Sequence, residues 1–493
     1  MDYEKTRILP LIIFLMSFFL LLLEIFLTRI FSVLLYYHFA FMSISIALLG
    51  LGSSGMAIYL FPNFFKKLNS SKIITEAFIL FSLSILLVLF AIITMKIKTQ
   101  VTFSSIFELG ILYILIFFPF FFGGIVVSLI LTHFSENISK LYFFDLAGAS
   151  LGTLAVIILL RFLGGPNGLI FISLLGMISA IIISIYFGFK KTKIISSLIS
   201  SLIFLLLIIG IIYNPFTLEF TKGAEDTSSN EIKEFSAWNA ISRVDLFDKG
   251  NEKYILIDSD AFTKVVKDTK ETRKELHNDL GAMAYHLYKN PNVLIIGAGG
   301  GVDVLRSLTF NSTVTGVEIN DIIVNDLMNN RLKDFSDNLY FRDNVNIVVD
   351  EGRNYIKRSK EKYDIIQMSL IDTWAATAAG AFTLTENNLY TVEAFVDYLN
   401  KLSDNGIFTT TRWEFARPQE TIRLIAISLQ AYERLGIKDY EKNIFIVKQN
   451  IVVPEEQRTR YEAVANVMIK KSLFTKNEAD ILYDKEFKQL ATH

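Results

Sequence analysis

Residues 292–303 read N-V-L-I-I-G-A-G-G-G-V-D, and residues 316–320 read G-V-E-I-N. The apolar run before Gly297 is typical of a strand buried on both faces, and the glycines after it precede a predicted helix. A strand that turns through glycines into a helix lets the backbone approach a ligand closely. About 20 residues further on, Glu318 ends a second apolar strand, where a carboxylate can accept ribose hydroxyls. This spacing predicts a nucleoside-binding site; the alternative is a tight strand–helix turn without a ligand.

Strands and helices continue to alternate after Glu318, which predicts a doubly wound parallel sheet. Further strands are predicted at 345–349, 363–368 and 406–411. Ligands of such sheets bind beyond the carboxyl ends of the strands, so polar and aromatic residues at these ends are site candidates. These candidates are Asp350, Glu351, Ser369, Asp372, Trp374 and Trp413. Trp413 either lines a pocket for an acceptor substrate or closes the edge of the sheet, and the sequence does not distinguish these roles.

The first 214 residues differ in kind from the rest of the chain. The whole chain is 52% hydrophobic with 43 phenylalanines, which is high for a soluble protein, and apolar runs near bilayer-spanning length recur in this part. We predict seven spans, at 8–28, 33–61, 73–95, 106–132, 141–163, 168–189 and 194–213. The composition therefore predicts an integral protein of a bacterial-type inner or plasma membrane.

Charge and composition limit the partners of the chain. The first 214 residues carry 13 lysines and arginines against 7 acidic residues, and the net charge of the whole chain is −1, so the remainder is acidic. An acidic C-terminal part argues against nucleic acid as a partner. Cysteine is absent and the five histidines lack ligand spacing, so we predict no metal site.

Two arguments disagree about the side of the membrane on which the C-terminal part lies. Lysine clusters at 66–72 and 190–193 lie on the same predicted side as the N-terminus, which the positive-inside rule places in the cytoplasm. Seven spans then put the C-terminal part outside the cell, where a nucleoside made in the cytoplasm is not supplied. Either one segment is re-entrant, or the charge rule fails here, or the C-terminal part does not use a nucleoside from the cytoplasm; we expect a cytoplasmic C-terminal part.

Charged residues inside the predicted spans need partners, because an isolated charge in hydrocarbon is costly. Glu24 and Arg29 lie five residues apart and either neutralise each other or pair elsewhere. Asp145 precedes Gly148 and Gly152, whose small-xxx-small spacing permits close helix packing. We interpret these residues as contacts between helices; the alternative is a substrate pocket that opens to the membrane.

The composition divides the chain into four segments. Residues 1–214 form the membrane region, 215–235 a polar linker, 236–290 a small β-hairpin region with a helix, and 291–493 the nucleoside-binding domain. Trp238 and His277, in the hairpin region, either line a substrate pocket or cover the small sheet.

Several motifs of the C-terminal part together resemble the spermidine synthase family of aminopropyltransferases, whose fold is that of class I S-adenosylmethionine-dependent methyltransferases. They are V-L-I-I-G-A-G-G-G, V-E-I-N, D-E-G-R, Y-D-I-I-Q-M-S-L-I-D and L-Y-T-V-E-A-F. The motifs E-I-F-L-T-R, P-F-F-F-G-G and D-L-A-G-A-S-L-G resemble the membrane portion of fused members. The resemblance implies a multispan all-α membrane region followed by an α/β Rossmann-like domain.

The resemblance also implies roles for single residues. Three glycines would pass near the amino-acid portion of S-adenosylmethionine or its decarboxylated form, the expected co-substrate. Glu318 would bind the ribose, and Asp350 or Glu351 would hold the adenine end. The three glycines are Gly297, Gly299 and Gly301.

Two departures from the family pattern bear on the chemistry. Soluble members carry an acid where Gly300 stands, and they carry the acid that deprotonates the attacking amine where Ser369 stands. A serine is not a strong base at neutral pH, so we expect Asp372 to orient or deprotonate the amine, with Ser369 beside it. The aromatic residues expected on the acceptor side are Trp238, His277, Trp374 and Trp413.

The resulting hypothesis is a membrane-bound transferase that moves an aminopropyl group to a polyamine-like amine. Two alternatives stay open: methyl transfer from S-adenosylmethionine to a membrane-borne acceptor, and a non-enzymatic sensor or transporter of polyamine or nucleoside. The expected partners are the lipid bilayer and a small amine, and a homodimer is left open.

Overall fold

The computed structural model describes residues 7–35, 37–67, 70–95, 103–133, 138–216, 218, 232–250, 252–259, 261–371, 388–414, 418–438, 440–450 and 463–490. The chain forms two compact units. The helical unit comprises the N-terminal helices together with residues 236–243 and 257–260, and the α/β unit comprises 230–235, 244–256 and 261–493. Most of the predicted linker lies outside the described residues.

The described part of the helical unit contains α1 (Leu9–Leu34), α2 (Tyr37–Leu60), α3 (Pro62–Lys67), α4 (Ser70–Thr94), α5 (Phe103–His133), α6 (Ile138–Phe187) and α7 (Lys190–Tyr213). Six of these helices, all except α3, are long and apolar enough to cross a membrane. The 50-residue α6 is interrupted at Gly164, where φ is 69° and ψ is −177°. The interruption separates arms of 138–163 and 165–187, which correspond to the predicted spans at 141–163 and 168–189.

Helix α1 packs closely against α6, and most of its side chains are buried. A Cβ atom at Gly148 would lie 2.2 Å from the carbonyl oxygen of Phe14, and one at Gly152 would lie 2.5 Å from that of Phe18. Any larger residue would force the two backbones apart. The close packing predicted from the small-xxx-small spacing is therefore confirmed.

Two charged residues of the helical unit find partners that the sequence left open. Asp145 accepts a hydrogen bond from the hydroxyl of Ser17 on α1. Arg29 pairs with Asp258, since its Nη2 donates to the two carboxylate oxygens at 3.0 and 3.2 Å. Asp258 also accepts from the backbone nitrogen of Arg243 at 2.7 Å. The ion pair thus ties the turn at 257–260 to α1 within this unit.

Eleven strands and six further helices are described. The strands are β1 (Ile232–Trp238), β2 (Arg243–Asp248), β3 (Lys253–Ile257), β4 (Ala261–Val265), β5 (Asn292–Ile296), β6 (Thr313–Glu318), β7 (Val345–Val349), β8 (Tyr363–Ser369), β9 (Leu402–Glu414), β10 (Ile444–Asn450) and β11 (Ala463–Lys470). The helices are α8 (Lys270–His277), α9 (Val302–Leu308), α10 (Gly352–Arg358), α11 (Val392–Lys401), α12 (Gln419–Arg434) and α13 (Lys476–Leu490). Helical segments separate the successive parallel strands from β5 to β9.

The larger sheet has the strand order β10-β11-β9-β8-β5-β6-β7, and β9, β8, β5, β6 and β7 run parallel. Strands β6 and β7 lie on one side of β5, whereas β8 and β9 lie on the other. The chain therefore reverses its direction of winding between β5 and β8, and such a switch point is where open α/β sheets bind ligands. The expected fold class, apolar helices followed by an α/β domain with a mostly parallel sheet, is confirmed.

The contact between α1 and α6 gives a prediction for the helical unit. Gly148→Ala should lower the stability of the full chain in detergent by about 1–3 kcal/mol, because the added methyl group overpacks the backbone of α1. Gly52→Ala is the matched control, since a Cβ at Gly52 meets nothing within 4 Å. Thermal unfolding of the two variants would be compared, and equal midpoints would contradict the prediction.

Candidate functional site

The chain leaves β5 through a glycine loop, residues 297–301, at the switch point of the sheet. The backbone nitrogen of Gly297 donates to the carbonyl oxygen of Val317 on β6 at 2.8 Å. Gly299 and Gly301 have φ values of 51° and 91°, a region that favours glycine over residues with a Cβ. The loop is buried, and its backbone lies along the carboxyl ends of β5 and β6.

Glu318 faces the glycine loop rather than solvent. Its side chain is 7% exposed, and Oε2 accepts from the backbone nitrogen of Gly299 while Oε1 accepts from that of Asn320, both at 3.0 Å. Burial raises the pKa of the Glu318 carboxyl, and the hydrogen bonds from the backbone partly oppose that rise. Each carboxylate oxygen keeps a further lone pair, so the group can also accept hydroxyls of a ribose.

Two residues that the sequence analysis did not identify hold the glycine loop. The Thr263 hydroxyl on β4 accepts from the backbone nitrogen of Gly300 at 3.0 Å, and the Tyr340 hydroxyl donates to the carbonyl oxygen of Gly299 at 2.7 Å. A Cβ at Gly300 would lie 2.2 Å from the carbonyl oxygen of Lys264. Position 300 therefore has no room for an acidic side chain.

The two acidic residues after β7, Asp350 and Glu351, make hydrogen bonds and an ion pair with neighbouring residues of the chain. Glu351 is the N-cap of α10, since its carboxylate accepts from the backbone nitrogens of Arg353 at 3.0 Å and Asn354 at 2.8 Å. Asp350 accepts from the backbone nitrogen of Glu351 at 2.8 Å and pairs with Arg358. The backbone nitrogen of Asp350 also donates to the carbonyl oxygen of Glu318 at 3.1 Å, so Asp350 stands beside the end of β6.

Ser369 ends β8, the strand next to the glycine loop across the switch point. Its hydroxyl accepts from Nε2 of Gln367 at 3.1 Å. Two residues later, the side chain of Ile371 lies against Gly297, where an added Cβ would be 3.1 Å from Cδ1. The segment after β8 thus runs along the glycine loop. Asp372 and Trp374, the next candidates, lie outside the described residues.

The other aromatic candidates occupy different places. Trp238 packs against Gly164 and Gly165 at the interruption of α6, within the helical unit. His277 stacks on Phe310 at 4.2 Å near the carboxyl end of α9, while the glycine loop lies at the amino end of that helix. Trp413 is half-buried near the carboxyl end of β9. The structure brings Ser369, Glu318 and Asp350 to the glycine-loop edge of the sheet, and it does not bring His277 there.

Within the described ranges, no group of three or more His, Asp or Glu side chains has the geometry to hold a metal ion. The residues present are hydrogen-bonding groups that surround a glycine backbone, which suits the hydroxyls and amide-like edges of a nucleoside.

The middle of the α/β unit is similar in sequence to a known protein family. Residues 273–440 match the family model described as the Spermine/spermidine synthase domain. A polyamine aminopropyltransferase of Buchnera aphidicola is 32% identical over 134 residues, which are 27% of this chain and 43% of that protein. One of Thermoplasma volcanium is 27% identical over 171 residues, 34% of this chain and 57% of that protein. The chain thus spans about half the length of the curated relatives it matches.

Among solved structures, a spermidine synthase from Thermotoga maritima aligns with 50% of this chain and 74% of its own, at 18% identity and a TM-score of 0.33. The family match over residues 273–440 confirms the resemblance to the spermidine synthase family for that part of the chain.

The environment of Glu318 gives a prediction about ligand binding. Glu318→Gln should weaken the binding of S-adenosylmethionine to the full chain at least tenfold, since one amide oxygen cannot replace two carboxylate oxygens that accept from Gly299 and Asn320. Because burial raises the pKa of Glu318, the wild-type affinity should fall on acidification through that raised pKa, and the variant should lack this dependence.

Calorimetry on the full chain in detergent measures both effects. Glu361→Gln is the matched control, because Glu361 is exposed on the connection to β8. An affinity that survives in Glu318→Gln and keeps its dependence on pH would remove Glu318 from the ligand site.

Proposed function

We propose that the chain is a membrane-bound transferase that binds S-adenosylmethionine or its decarboxylated form and moves an aminopropyl group to a polyamine-like amine. The observation that carries the proposal is the contact between the Glu318 carboxylate and the backbone of Gly299 at the switch point of the sheet. The family match over residues 273–440 supports it, since relatives with this domain are named polyamine aminopropyltransferases.

The residues at the switch point suit the parts of such a nucleoside. Glu318 is proposed to accept the ribose hydroxyls, and Asp350 is proposed to hold the adenine end, since the Glu351 carboxylate caps α10. Gly297, Gly299 and Gly301 are proposed to pass near the amino-acid portion; all three have positive φ values, which favour glycine. When bound, the nucleoside supplies a carbon activated by its sulfonium.

Transfer to an amine needs a neutral nitrogen and a group that takes up its proton. The Ser369 hydroxyl accepts a hydrogen bond from Gln367 and carries no charge at neutral pH, so it positions rather than deprotonates. We expect Asp372 to orient the amine and accept the proton as the nitrogen–carbon bond forms and the carbon–sulfur bond breaks.

The helical unit supports the membrane part of the proposal. Six of its described helices are long and apolar enough to cross a bilayer, and Asp145 and Arg29 are bound to partners within the unit. We propose an integral membrane protein whose lipid partner is the bilayer itself, with the α/β unit in the cytoplasm, where sulfonium nucleosides are made.

Methyl transfer from S-adenosylmethionine is a second candidate function. Position 300 has no room for an acidic side chain. Ser369 stands where soluble members of the spermidine synthase family carry an acid. Both differences remove negative charge near the amino-acid portion of the ligand, and S-adenosylmethionine, unlike its decarboxylated form, carries a carboxylate there. Calorimetry with the two nucleosides and mass spectrometry of the product separate the candidates.

The role of Asp372 gives the test of the reaction. Asp372→Asn should lower turnover at least a hundredfold with 1,4-diaminobutane as the acceptor, because an amide cannot accept the proton of the amine. The affinity for the nucleoside should change less than threefold. Turnover would be followed by mass spectrometry on the full chain in detergent.

The control for this test is Asp404→Asn, the same change at an exposed position of β9. Full turnover in Asp372→Asn would assign the proton acceptor elsewhere, whereas loss of nucleoside binding together with turnover would make Asp372 a binding residue.

A further inference from the structure

A buried polar network lies beneath the carboxyl end of β8. Gln367 is 1% exposed and stands opposite Ile295 of β5 in the sheet, where buried strands normally carry apolar residues. Its side chain points into a group of other buried polar residues that the proposed reaction does not use. The Gln367 network consists of Gln367, Asp303, Arg306, Tyr285 and Ser307. Burial of so many polar groups is costly unless all are hydrogen-bonded.

Arg306 anchors the network from the side away from Ser369. Its Nε and Nη2 donate to the Asp279 carboxylate at 2.6 to 3.1 Å, and its Nη1 donates to Oδ1 of Asp303. The guanidinium is buried between the two carboxylates. The Asp303 oxygen that faces Arg306 and Gln367 thus accepts hydrogen bonds from both side chains.

The orientation of the Gln367 amide follows from its two neighbours. Asp303 Oδ1 lies 3.2 Å from the amide nitrogen, and an oxygen that already accepts from Arg306 fits the N–H side of the amide there. On the other side, the Tyr285 hydroxyl donates to Oε1 of Gln367. Burial raises the pKa of the Tyr285 phenol far above its usual value, so the phenol keeps the proton that it donates.

The amide nitrogen of Gln367 has two hydrogens and two further acceptors besides Asp303, of which the Ser369 oxygen is closer than the carbonyl oxygen of Gly281 at 3.5 Å. Gln367 Nε2 is 3.1 Å from the Ser369 oxygen, which must accept, because the amide nitrogen has no lone pair to offer. The hydrogen of the Ser369 hydroxyl is therefore directed away from Gln367, and Ser369 stands at the carboxyl end of β8 beside the switch point.

We propose that Gln367 is a positioning residue, which holds the Ser369 hydroxyl so that its hydrogen is offered to the bound ligand. The Ser369 hydroxyl can donate this hydrogen bond to a ligand group with a lone pair on oxygen or nitrogen. It does not suit an ammonium group, which needs a hydrogen-bond acceptor. This inference rests on the proposed function for the identity of the ligand and extends it to residues beneath the site.

A double-mutant cycle on the full chain in detergent tests the coupling. Gln367→Met removes the N–H donor and keeps the length of the side chain, and Ser369→Ala removes the hydroxyl. Gln367→Met should lower kcat/KM for the nucleoside roughly tenfold when Ser369 is present, the effect expected for one hydrogen bond. It should lower kcat/KM less than twofold in the Ser369→Ala background, because its action passes through the hydroxyl.

Equal losses in the two backgrounds would show that Gln367 acts only on folding, and they would overturn the proposal, as would the absence of any loss. Ser369→Thr keeps a hydroxyl and should retain the sensitivity to Gln367→Met. The matched control is Gln449→Met, the same change on β10 outside the network, which should leave kcat/KM unchanged.

Two further measurements keep the test decisive. If Gln367→Met does not fold, Gln367→Leu replaces it in the cycle, since it also removes the N–H donor and places no charge beside Asp303. If the wild-type chain binds the nucleoside without turnover, the same cycle is measured on the dissociation constant, with the same two outcomes. A wild-type chain that binds no nucleoside overturns the proposed function, whereas binding with additive losses overturns the role of Gln367 alone.

Discussion

The α/β unit depends on one carboxylate that two backbone segments share. Glu318 accepts from Gly299 in the loop after β5 and from Asn320 just beyond β6, so a single buried side chain joins the two strand ends. A buried carboxylate without such donors would cost several kcal/mol, and with them it fixes the conformation of the loop at the switch point of the sheet. Thr263 and Tyr340 reinforce the same loop from other parts of the unit.

Close approach of backbones is a constraint common to both units. In the helical unit, Gly148 and Gly152 let α6 approach the carbonyl groups of α1. In the α/β unit, Gly300 lets the glycine loop approach the carbonyl group of Lys264. The physical reason is the same, because a Cβ would overlap an oxygen atom at 2.2 to 2.5 Å in each case. At position 300 this packing also decides the chemistry, since it leaves no space for an acid.

Ion pairs between buried charged residues determine which side chains remain available to bind a ligand. Arg29 and Asp303 both lie where an unpaired charge would be costly, and both are matched, by Asp258 and Arg306 respectively. The Asp303–Arg306 pair in turn determines how Gln367 is oriented, and through Gln367 it determines what the Ser369 hydroxyl can offer. The hydrogen-bonding properties at the carboxyl end of β8 thus depend on the buried residues beneath the sheet as well as on Ser369 itself.

The sequence by itself determined the elements and the edge of the sheet that holds the candidate site. Apolar runs, glycines and the acid at Glu318 are local signals, and β5 to β8 fall where the periodicity of the chain predicts them. Only the tertiary structure decided that Arg29 pairs with Asp258, that Thr263 holds Gly300, and that Gln367 is bound between Asp303 and Tyr285. These partners are separated by 37 to 229 residues in the sequence, and Gln367 lies in a pattern typical of an ordinary buried strand. Local periodicity carries no information about such pairs, because which polar groups meet in the interior is set by packing of whole strands and helices.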